Sequence, residues 1–201
     1  MNRITTYIRQ SLQDIYPPEE VKALSMLICC DMLGVDALDI YMGKDIILSA
    51  CKQRELENII FRLQKNEPIQ YIRGYAEFCG RNFRVAPGVL IPRPETAELV
   101  GLIVKENPDA RRLLDIGTGS GCIAISLDKN LPDAKVDAWD ISEEALAIAR
   151  KNNEELDAQV TFRRQDVFSA DGIQGASYDI IVSNPPYVTE TEKNRDGSQC
   201  A

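Results

Sequence analysis

Leu113-Leu114-Asp115-Ile116-Gly117-Thr118-Gly119-Ser120-Gly121 reads as a short apolar strand, a glycine-rich turn and the start of a helix. Glycines at this point turn the backbone sharply and let a ligand approach main-chain N–H groups with no Cβ in the way. A strand end followed by such a turn is where open α/β sheets bind ligands. The spacing is GxGxG, not the GxGxxG of dinucleotide binders, and no lysine follows in the phosphate-cradling position. The next expected strand ends at Asp140, where a carboxylate can accept both hydroxyls of a ribose. Glycine loop and acid together predict a nucleoside site formed by Gly117, Thr118, Gly119, Ser120, Gly121 and Asp140, without fixing which nucleoside. Asp166 falls at the following strand end. It is either a ligand for an exocyclic amino group or a solvated loop acid.

Around this stretch the chain alternates. Residues 111–116, 135–139, 160–163 and 178–183 have strand character, and residues 120–130 and 143–157 have helical spacing. Alternation of this kind implies parallel pairing through right-handed crossovers, hence a doubly wound α/β domain. Residues 95–105 also carry helical spacing. Upstream, the first ~70 residues read as short helices. Pro17-Pro18-Glu19-Glu20 opens one, Val21, Leu24, Leu27 and Ile28 continue it, and Gly34 stops it. Leu56, Ile59, Ile60 and Leu63 mark one face of another over residues 51–66, ended by Pro68. These stripes predict a small helical bundle. Residues 68–94 mix aromatic and β-branched residues with glycine and proline, which predicts a β-hairpin or extended connector. The expected domains are 1–72, 73–94 and 95–201.

Ile180-Ile181-Val182-Ser183-Asn184-Pro185-Pro186-Tyr187 is an apolar strand ending in a rigid polar turn. Two prolines fix two φ angles and lack N–H donors, so the carbonyls around them tend to be left unpaired. Asn184 adds a side-chain acceptor. Two acceptors side by side suit a planar NH2 group, and Tyr187 can lie against its plane. A plain strand-ending turn is the alternative. As a clamp, Asn184, Pro185, Pro186 and Tyr187 would hold an amide-type nitrogen, direct its lone pair at a methyl donor and stabilise charge developing on it.

Composition removes other chemistries. The chain of 201 residues has no histidine, so it holds no Ser-His-Asp triad, Cys-His dyad or histidine-ligated zinc, and no metal is expected. Its six cysteines form no CxxC pair and read as reduced thiols. A net charge of -8 opposes broad capture of nucleic acid. No apolar run approaches the ~20 residues of a membrane span, and the N-terminus has no signal-peptide core, so a cytoplasmic location is expected.

RLLDIGTGSGCIAISL, the Asp140 strand end and IIVSNPPYV together resemble the HemK/PrmC family, protein-(glutamine-N5) methyltransferases of peptide chain release factors. Pro68-Ile69-Gln70-Tyr71-Ile72-Arg73-Gly74 and Val89-Leu90-Ile91-Pro92-Arg93-Pro94-Glu95-Thr96 carry the same resemblance over about residues 20 to 188. It implies a Rossmann-like class I methyltransferase domain behind a small helical domain and a hairpin linker. It also implies S-adenosylmethionine as cofactor and the glutamine of a Gly-Gly-Gln tripeptide as target. Gly117–Gly121, Asp140, Asp166 and Val167 would contact the cofactor. Asn184–Tyr187 would hold the glutamine amide, with Asn184 also near the methyl donor.

The sequence departs from the family in three places. Ala97 stands where glutamate is usual. Val167 follows Asp166 where an aromatic residue is frequent. Residues 189–201, TETEKNRDGSQCA, match nothing in the family, which implies a domain truncated or frameshifted at its C-terminus. Two other readings stay open: an amino-methyltransferase of a flipped nucleic-acid base, which shares the Asn-Pro-Pro-Tyr pattern, and a truncated chain without turnover. Oligomeric state is not legible.

Overall fold

Helix breakers and caps set the element boundaries. The structure, a computed structural model, describes residues 3–169 and 177–185. The chain divides into two units, Met1–Gly74 and Tyr75–Ala201.

In the first unit α1 (Arg3–Leu12) buries Ile4, Ile8 and Leu12. Helix α2 (Pro18–Met26) begins with proline in its first turn, where a missing N–H costs nothing, and with Glu19 and Glu20 at the positive end of the helix dipole. The helix does not run straight to Gly34. Residues Leu27–Met32 are wound as a π-helix. The Leu33 N–H then donates to the Ile28 carbonyl (2.9 Å) and the Val35 N–H to that of Cys29 (2.8 Å). Gly34, at φ 62°, turns the chain out. Helix α3 (Ala37–Tyr41) is capped by Asp36 and α4 (Ala50–Leu63) by Ser49. The predicted face of α4 is the buried one: Leu56, Ile59, Ile60 and Leu63 pack with α1 and α2 residues in one core. A short α5 (Ile69–Arg73) ends at Gly74, whose left-handed φ of 87° closes it.

The second unit opens with a two-stranded antiparallel hairpin, β1 (Tyr75–Phe78) and β2 (Arg81–Arg84). Its turn is Cys79-Gly80, both at positive φ, as a two-residue hairpin turn of right-handed twist requires. Phe78 and Phe83 meet edge to face, ring centres 5.9 Å apart, within the core of this unit. The hairpin, which falls in the stretch expected to connect two domains, therefore supplies core side chains to the second unit.

Helix α6 (Pro94–Glu106) again starts on proline. Strand β3 (Arg112–Ile116) leads to α7 (Cys122–Asn130), β4 (Lys135–Asp140), α8 (Glu143–Glu155), β5 (Thr161–Arg164) and β6 (Ile180–Ser183). Helix α7 starts at Cys122 rather than at Ser120 because Gly121 before it holds a left-handed φ of 80°. Strand β6 is preceded by Asp179, whose carboxylate accepts from the N–H groups of Arg111 (2.7 Å) and Arg112 (2.9 Å) at the root of β3. The four strands pair in parallel in the order β5-β4-β3-β6. From β3 the chain moves outward to β4 and β5, then returns to the other side of β3 as β6. The direction reverses between β3 and β6, and the crevice at the carboxyl ends of those two strands is the place such sheets use for ligands. Among the described residues no helix is long and apolar enough to cross a membrane.

Candidate functional site

The glycine loop leaves the end of β3. Gly117, Gly119 and Gly121 sit at φ 72°, 56° and 80°, a region costly for any residue with a Cβ. The three differ in what surrounds them. A Cβ on Gly121 would lie 3.1 Å from Ile125 Cδ1 and 3.2 Å from Ala149 Cβ, so this glycine lets α7 and α8 pack closely. A Cβ on Gly117 or Gly119 would meet nothing within 4 Å. Those two glycines keep open the space a ligand needs to reach the backbone.

The loop is braced from below. The Gly117 and Thr118 N–H groups both donate to the Trp139 carbonyl (2.8 and 3.0 Å). The Gly119 N–H donates to Asp140 Oδ2 (2.9 Å), and Asp140 Oδ1 accepts from the Ser142 N–H (2.9 Å). Asp140 thus holds the loop and the start of α8 together, with lone pairs left over for a ligand. Asp166 stands two residues past β5, next door to β4. Its Oδ1 accepts from the Phe168 N–H (2.9 Å), and both Asp166 and Val167 are exposed. Glycine loop, Asp140 and Asp166 follow three neighbouring strand ends in order, a layout for an elongated ligand.

Asp115, the last acid before the loop, is buried. Its Oδ2 accepts from the Thr118 hydroxyl (2.7 Å) and the Ala124 N–H (3.3 Å). Its Oδ1 and the Ser120 hydroxyl have no partner. Burial raises the Asp115 carboxyl to about 6, against the two hydrogen bonds that favour its charge. Two buried polar atoms without partners beside an open glycine loop fit a polar cofactor that supplies them. Cys122 follows the loop directly, and burial pushes its thiol up to about 12, which removes it as a nucleophile at neutral pH.

The second half of the site leaves β6. Ile116 and Ser183 are paired across β3 and β6, so the residues that follow them, Gly117 and Asn184, start from adjacent strand ends. The Ser183 hydroxyl donates to the Ile116 carbonyl (2.8 Å) and ties the two ends together. The Asn184 Nδ2 donates to Oγ1 of buried Thr96 (2.9 Å), in the first turn of α6. Asn184 and Pro185 line a cavity of about 580 Å³ with Leu90, Arg93, Glu95, Thr96 and Leu99. Pro186 and Tyr187 lie outside the described residues. Ala97 packs against the core and does not line this cavity.

Four residues here were not singled out by sequence reasoning. Thr96 and Ser183 were read only as part of longer stretches, and Asp115 only as part of the strand. Asn152 resembled one more polar residue of the α8 surface. It is 1% exposed. Its Nδ2 donates to the Ser120 carbonyl (2.8 Å) and the Arg84 carbonyl (3.1 Å), and its Oδ1 accepts from the Arg84 N–H (2.7 Å). It fastens the hairpin, α8 and the glycine loop to one another.

The methyltransferase small domain matches residues 96–199, and the PrmC N-terminal domain matches residues 4–74, further towards the N-terminus than the motifs alone reached. A release factor glutamine methyltransferase of Bacteroides thetaiotaomicron is 98% identical over 193 residues, which are 96% of this chain and 69% of that protein. One of the same description from Flavobacterium psychrophilum is 40% identical over 193 residues, 94% of this chain and 67% of that protein. The chain spans about two thirds of the length of these two relatives. Among solved structures, a T. thermophilus 16S rRNA methyltransferase in complex with AdoMet and guanosine aligns with a TM-score of 0.49 at 25% identity, over 58% of this chain and 33% of the other.

Proposed function

We propose, since this chain belongs to the family of release factor glutamine methyltransferases, that it methylates the side-chain amide nitrogen of the Gly-Gly-Gln glutamine of peptide chain release factors. The methyl group comes from S-adenosylmethionine, and the setting is the cytoplasm. The observation that carries the reading is the pairing of Ile116 with Ser183, which starts the glycine loop and the Asn184 turn side by side at the reversal point of the sheet.

In this reading Gly117, Thr118, Gly119, Ser120 and Gly121 line the cofactor from below. Asp140 takes its ribose hydroxyls, and Asp166 and Val167 border its base. When bound, the cofactor supplies a sulfonium methyl that is already activated, so the chemistry asks the protein for positioning and charge stabilisation. An amide nitrogen is a poor nucleophile because its lone pair is delocalised into the carbonyl. Asn184 Oδ1 and a carbonyl of the Pro185-Pro186 segment accept the two amide protons and orient the plane of the NH2 group. Tyr187, outside the described residues, would lie against that plane. Transfer would form an N–CH3 bond as the sulfonium S–CH3 bond breaks and the sulfur leaves as a neutral thioether; the same fixed dipoles would stabilise the positive charge growing on nitrogen until one amide proton leaves to solvent. The 580 Å³ cavity beside Asn184 is large enough for a glutamine side chain and its flanking glycines.

Mass spectrometry of a release factor incubated with this chain and S-adenosylmethionine should find one added methyl on the Gly-Gly-Gln glutamine. Asn184→Ala should lower turnover at least ~100-fold, as loss of a preorganised polar contact does, while cofactor affinity stays nearly unchanged. Methyl found only on DNA or RNA would overturn the assignment. An equal loss of cofactor affinity in Asn184→Ala would move that residue from the substrate to the cofactor.

A further inference from the structure

The clamp works only if Asn184 presents its carbonyl. A side-chain amide has an acceptor end and a donor end of nearly the same shape, and a half-turn about its last bond exchanges them. With the donor end turned inward, Asn184 would meet the glutamine NH2 donor to donor. An acceptor for Nδ2, which leaves Oδ1 to the substrate NH2, is therefore the device the site needs.

We propose that Thr96 is this device, a positioning residue that holds Asn184 with Oδ1 available to the substrate amide. The proposal rests on the reading of Asn184 as the amide clamp. The Thr96 Oγ1 accepts from Asn184 Nδ2 at 2.9 Å across 88 residues of sequence. Thr96 is 7% exposed, and its N–H donates to the Arg93 carbonyl (3.0 Å), so the side chain stands on a fixed first turn of α6. That turn is itself set by Pro94 at the start of the helix. Both partners line the same cavity. The Thr96 hydroxyl can donate as well as accept, but the substrate NH2 only donates and so claims Oδ1; Nδ2 then needs the acceptor that Thr96 supplies, and the three groups pair in one orientation of the amide. The role also gives a physical reason for a threonine at the end of the Pro92-Arg93-Pro94-Glu95-Thr96 stretch.

The test measures methyl transfer to a release factor by the wild-type chain, Thr96→Val, Thr96→Ala and Thr96→Ser, each also in an Asn184→Ala background. Thr96→Val keeps the shape and removes the acceptor, and Thr96→Ala covers the case in which valine disturbs packing. Loss of one hydrogen bond at the reacting group predicts a fall in kcat of about 10-fold, with KM for the cofactor unchanged. Thr96→Ser should restore most of the loss. In the Asn184→Ala background the Thr96 changes should cost nothing further, because a residue acting through Asn184 has nothing left to act on. In parallel, nitrogen-15 NMR should show the Asn184 side-chain NH2 pair, assigned by its absence in Asn184→Ala, shifted in Thr96→Val and retained in Thr96→Ser. Equal kcat in wild type and Thr96→Val, or full additivity with Asn184→Ala, overturns the inference while leaving the functional reading in place. A wild-type chain that transfers no methyl to the release factor overturns the reading itself, and with it this role for Thr96.

Discussion

Replacing Asn152 by leucine should destabilise the second unit by about 3 kcal/mol, although the residue lies on a helix of mostly charged surface. Leucine keeps the branched outline of asparagine in a larger side chain and removes every hydrogen bond the side chain makes. Three backbone groups then lose their partner: the Ser120 carbonyl, the Arg84 carbonyl and the Arg84 N–H. The bond to Ser120 is buried and the two to Arg84 are partly buried. A buried group left unsatisfied costs about 1–3 kcal/mol. Taking about 2 for Ser120 and about half a kcal/mol for each group of the more exposed Arg84 gives about 3 kcal/mol. For a unit of this size the melting temperature should fall by roughly 10 °C. Thermal unfolding by circular dichroism measures it, with exposed Lys151→Ala as the control expected to stay within about 0.5 kcal/mol. An Asn152→Leu chain that melts within about 2 °C of wild type would refute the idea that this side chain fastens hairpin, α8 and loop together.

Two further perturbations separate stability from binding. The folded Asp115 carboxyl is raised from 3.8 to about 6, so the folded state holds its proton more tightly than the unfolded chain does. Its contribution is fully present below pH 4 and lost as pH rises through 6, by about 3 kcal/mol at about 1.4 kcal/mol per pH unit. Urea midpoints from pH 4 to 7 should fall more in wild type than in Asp115→Asn; parallel curves would remove the buried charge from the account. Gly121→Ala places a Cβ 3.1 Å from Ile125 and should cost about 2 kcal/mol or more, whereas Gly119→Ala adds a Cβ in open space and should cost only about 1 for its φ. Calorimetry with S-adenosylmethionine should then show weaker binding for Gly119→Ala at a smaller loss of stability; an unaffected affinity would show that the ligand does not come down onto that glycine.

Much of the second unit was legible because its signals are local. The glycines, the apolar strand before them and the helix after them sit within a few residues of one another, and β3, α7, β4 and α8 fall within two or three residues of expectation. The remaining discrepancies also have local causes. Gly121 holds left-handed backbone and delays α7, while Asp179 caps the base of β3 and delays β6. What escaped are the side chains that join distant segments. Thr96 meets Asn184 across 88 residues, and Asn152 meets Arg84 across 68. Such a bond leaves no periodicity, since a lone threonine in a helix turn and an asparagine in a polar helix have many ordinary uses. Asp115 escaped for a related reason. Its burial depends on the helix that covers it, and a strand-end acid looks the same whether covered or not. The Asn184 turn was an ambiguous signal that only its neighbours could resolve, and the strand order supplies the neighbour.

That strand order also sets a sequence of events in time. Strands β3, β4 and β5 are consecutive and adjacent, so the glycine loop, Asp140 and their braces arise from one continuous stretch of chain. The Asn184 turn joins them only when β6 has crossed back past two strands to pair with β3, and its contact with Thr96 closes the longest of the loops described here. Contacts between remote positions form late, because closure entropy must be met before they reward it. A chain emerging from the ribosome therefore assembles the glycine-loop half of its cleft before the Asn184 half. On the proposed reading, the last piece to arrive is the one that would make the cleft select for an amide.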